Sequence, residues 1–323
     1  MNIAVINCSA PHYNLGLHKL SDWLTEQGHS VTWFDGDPGL FGYGFDRVCL
    51  SVIFSWHAPI ARDIAIRVKE HSDVWCGGPG IFALWKWWKD QTGLSIQRGI
   101  DARFDKQRGN YKMTFASRGC PVNCSFCIVP RLEGLEFTLD WDFVPATVLC
   151  DNNLSALPTD FQEHIIRRYQ ETDTRLGDAN SGFEPRYFNE DTYQRWKPVI
   201  HGAWRFAFDE QIEAAAVETM MQILRDEHSK RKRVYVLIGN EPIASCYERA
   251  MKVLEWGGEP YCQYVLPLNW LGDPAALRPR FDWTYQRGKD FARYFNRFLW
   301  KYVPIREYNN RQHEPPPFAE VVL

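Results

Sequence analysis

SRGCPVNCSFCIVP, residues 117–130, carries three cysteines in the spacing Cys-x3-Cys-x2-Cys, and the reading of the whole chain turns on it. Cys120, Cys124 and Cys127 follow directly on a strand-like stretch, residues 111–116. Three thiolates on one short loop can hold three irons of a 4Fe-4S cube and leave the fourth iron without a protein ligand. A small molecule with an amine and a carboxylate can complete that iron. The structural alternative is a zinc knuckle with a distant fourth ligand. Zinc ribbons pair two Cys-x2-Cys units, and this chain has no second pair; Phe126, just before the last cysteine, is an aromatic suited to covering an adenine.

Downstream of the motif, strand-like runs at 146–150, 175–180, 204–208, 233–238 and 261–266 alternate with helical stretches at 160–171, 191–197, 210–226 and 244–256. With 111–116 these make six parallel strands, which suit a partial (βα)6 TIM-type barrel whose chemistry gathers at the strand C-termini. Upstream, residues 2–7 (NIAVIN), 30–34, 47–54 (RVCLSVIF) and 74–76 read as strands, with helices at 15–27, ended by Gly28, and at 57–71. That alternation predicts an α/β fold whose N-terminal part is a Rossmann-like parallel sheet. Its ligand rim lies beyond the strand ends, at residues 8–16, 55–57 and 76–80. The aromatic run 82–88 (FALWKWW) and a polar linker at 98–110 separate the two halves. The expected domains are 1–105, Rossmann-like; 106–270, partial barrel; and 271–323, a helical extension with an aromatic, basic helix at 282–301 and a Pro-rich tail at 315–317. No internal repeat is present.

The chain has 323 residues, 45% of them apolar and 24% charged, which excludes long disorder and collagen-like repeats. A formal net charge of -3 gives no basic field for non-specific nucleic-acid binding, so any such contact would be local. Aromatics reach 15%, with 14 Trp, which predicts a heavily packed core or flat surfaces for a planar ligand. The cysteine count is odd, nine, and Met1 runs straight into a strand without a basic leader. Both point to a reducing cytoplasm. No apolar run approaches the roughly 20 residues that cross a bilayer, so no membrane is expected as a partner.

The cysteine motif, placed after a strand at the start of a βα barrel, closely resembles that of the radical S-adenosylmethionine superfamily, over about residues 111–268. The resemblance implies a 4Fe-4S cluster on Cys120, Cys124 and Cys127 and an S-adenosylmethionine that is reductively cleaved to a 5'-deoxyadenosyl radical acting on an unidentified substrate. A flavodoxin- or ferredoxin-type protein would supply the electron. It further implies that Phe126 covers the adenine. Asp151, Asn152 and Asn153 stand where the family's GGE-like motif binds the methionine amine, without its glycines. Asn180 and Ser181 resemble segments that address the ribose or carboxylate, with Arg186 as a bidentate carboxylate partner. Asp209 and Glu210 are candidates for ribose hydroxyls or the amine; Gly239 and Glu241 resemble a Gly-x-x-Glu turn beside the adenine; and the backbone around Val265 would meet the adenine edge. Each acidic residue taken singly reads equally well as a helix N-cap or a surface charge.

The first domain resembles the cobalamin-binding domain that precedes many of these enzymes, through Ala10, Pro11, His12, Gly16, Ser51, Ser55, Gly77 and Gly78. The cobalamin signature wants Asp-x-His-x-x-Gly; here Ala10 replaces the Asp and the glycine comes one residue late. A histidine without its orienting carboxylate is a poor axial ligand, although corrin binding without histidine is common in the superfamily. Cobalamin-dependent methyl transfer therefore stays open beside a vestigial or substrate-gating domain. Methylthiotransferases resemble this plan too, with a second cluster on three cysteines; Cys8, Cys49 and Cys76 would serve, but Cys49 lies about five residues, roughly 15 Å, from its strand end. Core thiols are the plainer reading. Among the remaining cysteines, Cys246 and Cys262 read as core or surface, and Cys150 as that or as a hydrogen-atom donor. The basic run 228–233 (HSKRKR) reads as a solvated turn, and the 282–301 helix as a seal on the barrel rather than an RNA or DNA contact. From another class comes a non-catalytic, metal-stabilised module that docks a partner on residues 82–88.

Overall fold

The computed structural model describes residues 1–106, 108–310 and 316–319. The chain divides into two compact units, each discontinuous: Met1–Thr114 with Arg118–Val144 and Leu266–Asp273, and Phe115–Ser117 with Pro145–Val265 and Pro274–Leu323.

In the first unit, β1 (Asn2–Asn7), α1 (Leu15–Glu26), β2 (Ser30–Asp35), β3 (Arg47–Ser51), α2 (Ala58–Val68) and β4 (Asp73–Gly77) build a parallel sheet in the order β2-β1-β3-β4. The inner strands are apolar on both faces because both are covered, as parallel sheets require. Ala4, Ile6, Val48 and Leu50 pack with Ala61, Ile64 and Val68 of α2. Ile3, Val5 and Cys49 pack on the other face with Leu17 and Leu24 of α1. Asn14 starts α1 by accepting the Leu17 amide at 3.1 Å. The strand expected over 47–54 stops at Ser51. There the Val52 amide takes Gly77 O, the Gly80 amide takes Val52 O, and the chain turns away. Gly78, at φ +97°, permits that approach: a Cβ would stand 2.5 Å from Val52 O. The aromatic run over 82–88 enters α3 (Pro79–Phe82) and α4 (Trp85–Thr92), with Trp88 fully buried. The described residues of the 98–110 linker carry no helix or strand; Gln107 lies outside them.

Short elements follow: β5 (Met113–Thr114), β6 (Ser117–Arg118), α5 (Val129–Leu132) and β7 (Thr138–Leu139). The second unit then alternates β8 (Val148–Leu149), α6 (Thr159–Glu171), β9 (Asp178–Ala179), α7 (Glu190–Trp196), β10 (Trp204–Phe208), α8 (Ala214–Ile223), β11 (Lys232–Ile238), α9 (Ile243–Glu255) and β12 (Glu259–Tyr264). β10, β11 and β12 pair in parallel in that order, and β8 pairs in parallel with β9. Parallel bridges Leu176↔Ile200 and Phe183↔Phe206 join the β9 and β10 segments, so neighbours follow chain order. The three later strands form at nearly their expected length. The three earlier ones, expected at 111–116, 146–150 and 175–180, contract to two residues each, and no single six-stranded sheet forms among the described residues. Side chains and bifurcated bonds replace the ladder there: the Ala116 amide goes to the Asp151 carboxylate, and the amides of Gly177 and Asp178 both go to Thr147 O.

The predicted C-terminal helix is α10 (Tyr285–Asn296), with a 3-10 turn at Leu299–Lys301. It covers the sheet with Phe291 and Phe295. Asn296 acts as a surrogate strand at the open edge, accepting the Cys262 amide at 2.7 Å and donating to Cys262 O at 3.0 Å. Gly288 lets the helix close on Tyr264, whose ring occupies the place of a Cβ. In the predicted Pro-rich tail, Pro315 lies outside the described residues.

Candidate functional site: a cysteine loop and a strand-end rim

Cys120, Cys124, Phe126 and Cys127 are all half-buried on one loop of the first unit. A turn gathers its centre, with the Cys127 amide donating to Cys124 O at 3.1 Å and the Val129 amide donating to Cys127 Sγ at 3.4 Å. The loop's two ends meet at a neck. Gly119 donates its amide to Glu133 Oε2 at 3.0 Å, Arg118 Nη1 reaches Glu133 Oε1 at 3.5 Å, and the Cys120 amide donates to Gly134 O at 3.3 Å. Three accessible thiols within one closed loop, one already receiving an amide N–H, match the donor set of an iron–sulfur cluster. Among the described residues, no group of three His, Cys, Asp or Glu side chains is found converged on a metal position.

In the second unit the remaining predicted residues follow the C-terminal ends of successive parallel strands, except Arg186, which lies in a 3-10 turn at Pro185–Tyr187. Asp151 is wholly buried, and its carboxylate accepts the Ala116 amide at 2.8 Å and the Ser117 hydroxyl at 2.5 Å. It is thereby spent on residues 116 and 117 rather than facing solvent. Asn153, also buried, accepts from Ser155 Oγ and the Ala156 amide, while Asn152 is half-buried. Asn180 and Ser181 are exposed after β9. Arg186, expected to meet a ligand carboxylate, pairs with Glu184 at 2.5 Å and lies 3.8 Å from Glu213.

The end of β10 concentrates the charge. Asp209 and Glu210 donate their amides to Glu213 Oε2 at 2.7 and 3.2 Å, and Glu210's own side chain is exposed. Burial first, and the neighbouring Glu213 next, push the Asp209 carboxyl up to about 7. Burial likewise raises Glu213. A carboxyl in that range can accept or give a proton near neutrality and takes a ligand ammonium or hydroxyl readily. After β11, Gly239 is buried at φ +93°, where a Cβ would stand 2.5 Å from the Tyr264 ring. Glu241 Oε1 accepts the Gln211 amide at 3.3 Å. The Val265 amide extends the register by donating to Ile238 O at 2.8 Å.

Arg249 carried no signal in the sequence, yet it organises this rim. Fully buried on α9, it donates to Phe208 O at 2.5 Å and Leu237 O at 2.8 Å, joining the ends of β10 and β11. Its Nε lies 3.0 Å from Glu241 Oε2, off the line of the N–H bond, so that contact is ionic. Trp283 Nε1 donates to Glu241 O at 2.7 Å. An arginine inside an amphipathic helix reads as a surface charge; only the two strand-end carbonyls beneath it make it a core residue.

At the rim of the first sheet the chain fills its own crevice. Asn14 Nδ2 donates to Ser51 Oγ at 2.9 Å and Asn7 Oδ1 at 3.4 Å, and Ser9 Oγ accepts the Ile53 amide at 2.9 Å. Ser55 Oγ donates to Trp270 O at 2.6 Å, and Trp270 lies against Trp56 with centroids 5.8 Å apart. His12, exposed, packs edge-on to Phe54 at 4.8 Å. Cys8 and Cys76 belong to the α2 face, whereas Cys49 belongs to the α1 face. Strand alternation therefore separates the trio that a second cluster would need. Burial pushes the Cys8 and Cys49 thiols up to about 12, as befits core residues. Cys150, Cys246 and Cys262 are also buried. In the basic run, Arg231 pairs with Glu227 at 3.2 Å and Arg233 with Glu259 at 3.5 Å, while Lys232 is buried.

No family model and no curated protein matches this chain. Among solved structures it is similar to PH0766 from Pyrococcus horikoshii OT3, at 11% identity and a TM-score of 0.24, over 83% of this chain and 61% of that one. It is also similar to the apo form of a dinucleotide-forming acetyl-coenzyme A synthetase 1 from Ca. Korarchaeum cryptofilum, at 12% identity and a TM-score of 0.25, over 81% and 61%. The chain thus spans about three fifths of each, and likenesses this distant carry no argument about fold or function. No helix among the described residues is long and apolar enough to cross a membrane.

Proposed function

We propose that this chain is a radical S-adenosylmethionine enzyme, in which Cys120, Cys124 and Cys127 hold a 4Fe-4S cluster. The observation that carries the reading is the closed Cys-x3-Cys-x2-Cys loop, with three half-buried thiols and an amide N–H on Cys127 Sγ. When bound, a cluster with one iron lacking a protein ligand supplies the electron that cleaves S-adenosylmethionine to methionine and a 5'-deoxyadenosyl radical. The rest is the chain's own work. Asp209 and Glu213 make the acidic end of β10, which suits an ammonium or ribose hydroxyls, and Asp209 can hold a proton there near neutral pH. Arg249 fixes Glu241 and the ends of β10 and β11, so that little reorganisation is left for ligand binding.

In this reading the sequential parallel strands of the second unit are a partial (βα)6 barrel, the first sheet is a Rossmann-like domain, the protein works in the cytoplasm, and a flavodoxin or ferredoxin reduces it. The side chains filling the first sheet's crevice favour a structural or gating role there over corrin binding. The test is metal analysis of protein reconstituted anaerobically with iron and sulfide, for the parent chain and for Cys120→Ala, Cys124→Ala and Cys127→Ala. Expected is loss of the broad visible absorption in each single variant. Unchanged iron content in all three would refute the reading, and stoichiometric zinc in its place would turn it to a structural metal site.

A further inference from the structure

We propose that Arg118, Asp105, Lys19 and Glu133 form a charged strut that positions the cysteine loop, with Glu133 as the clamp that closes its neck. The inference rests on the reading of that loop as a cluster site, but its geometry stands by itself. Glu133, at the C-terminal end of the loop, holds two neighbouring residues at its N-terminal end. One carboxylate oxygen takes the Gly119 amide at 3.0 Å, and the other faces Arg118 at 3.5 Å, with the Glu133 side chain only 7% exposed. Arg118 then reaches back to Asp105, with Nη2 at 2.8 Å from Oδ1 and Nε at 3.4 Å from Oδ2. Asp105 is held in turn by Lys19, whose ammonium donates to its backbone oxygen at 2.5 Å and its Oδ1 at 3.1 Å. Lys19 sits on α1, 3% exposed, so the series ends in the packed core of the first sheet's helix layer.

The arrangement has the marks of a positioning device rather than a surface ornament. Two cations and two carboxylates alternate, so the strut carries no net charge. Its members are largely withdrawn from water, where a directed bond is strong and a lost partner is costly. Gly119, at φ +90°, leaves no room for a side chain, because a Cβ would overlap Glu136 O. The neck therefore fixes the backbone immediately before Cys120. Cys124 and Cys127 are gathered by a turn of their own, with the Cys127 amide donating to Cys124 O at 3.1 Å.

That difference gives the test. In the full chain without metal, the alkylation rate of each cysteine by iodoacetamide is measured by mass spectrometry for the parent, Glu133→Ala and Glu133→Gln. Opening of the neck in Glu133→Ala should raise the rate at Cys120 about tenfold relative to Cys124 and Cys127. Glu133→Gln keeps an acceptor for the Gly119 amide and should recover a good part of the protection. After reconstitution, iron and sulfide per chain should fall in the same order, parent above Gln above Ala. Equal Cys120 rates in all three proteins would overturn the strut. So would a rise shared equally by the core thiols Cys8 and Cys76, which marks general unfolding. If Glu133→Ala does not fold, Asp105→Asn carries the same comparison from the far side of Arg118. A parent chain that takes up no iron while Cys120 protection still follows Glu133 would overturn the cluster reading and leave the strut standing.

Discussion

Replacing Arg249 by methionine removes the guanidinium donors from the junction of β10 and β11 while keeping a side chain of similar length. Phe208 O and Leu237 O lose the guanidinium contacts at 2.5 and 2.8 Å. At about 1–3 kcal/mol for a buried acceptor that loses its donor, these contacts cost on the order of 2 kcal/mol. Glu241, a quarter exposed, also loses its cation but recovers part of that from water. Removing one partner of a buried ion pair costs about 3–5 kcal/mol, and relief from burying a guanidinium is already included in that range. Such a loss is a large fraction of the roughly 5–15 kcal/mol that holds a domain folded. Urea unfolding followed by circular dichroism should therefore show the midpoint falling by about 1 M or more. Arg249→Lys, which keeps the charge but spans fewer acceptors, should fall between. A methionine variant within about 1 kcal/mol of the parent would refute the assignment of Arg249 as the tie between the strand ends.

Other outcomes follow from single contacts. With its carboxyl pushed up to about 7 mainly by burial, Asp209 favours the folded state only when protonated. Its contribution is thus complete below about pH 4 and is lost as pH rises through about 7. Asp209→Asn should accordingly be more stable than the parent at pH 8, on the order of 2 kcal/mol, and lose that advantage by pH 4; thermal melts across pH check the slope. Asp151→Ala strands the Ala116 amide and the Ser117 hydroxyl and should lower stability by about 2–4 kcal/mol, with partial recovery in Asp151→Asn, read by urea titration. For Gly288→Ala, two effects compete: about 1 kcal/mol gained from helix propensity, and a Cβ forced into the Tyr264 ring. Overpacking of about 1–3 kcal/mol wins, so the melting temperature should fall rather than rise.

What could be read beforehand depended on how local its cause was. Strands over 2–7, 204–208 and 233–238 were legible because their apolar runs are intrinsic, and both layers of the first sheet follow from them. The shortened strands were not. Their ladder bonds are taken by Asp151, which comes 35 residues after Ala116, and by Thr147 O, and no periodicity reveals such a substitution. The same limit applies at the site. The cysteine motif announces itself by spacing, and the strand-end positions of Asp209, Gly239, Glu241 and Val265 follow from the βα alternation. The commitments of individual side chains do not. Asp151 is an acid in a plausible binding turn that is spent on backbone, while Arg186 pairs with acids of its own rim. Arg249 and Glu133 were invisible because their partners are carbonyls and amides, which every residue has.

The account rests most directly on whether the loop at Cys120, Cys124 and Cys127 supports reductive cleavage. Anaerobically reconstituted protein, reduced with dithionite in the presence of S-adenosylmethionine, should contain about four irons per chain and release 5'-deoxyadenosine. Cys124→Ala should release none while retaining the circular dichroism of the parent. A parent chain that binds iron stoichiometrically yet forms no nucleoside, or a Cys124→Ala variant that forms it undiminished, would contradict the account.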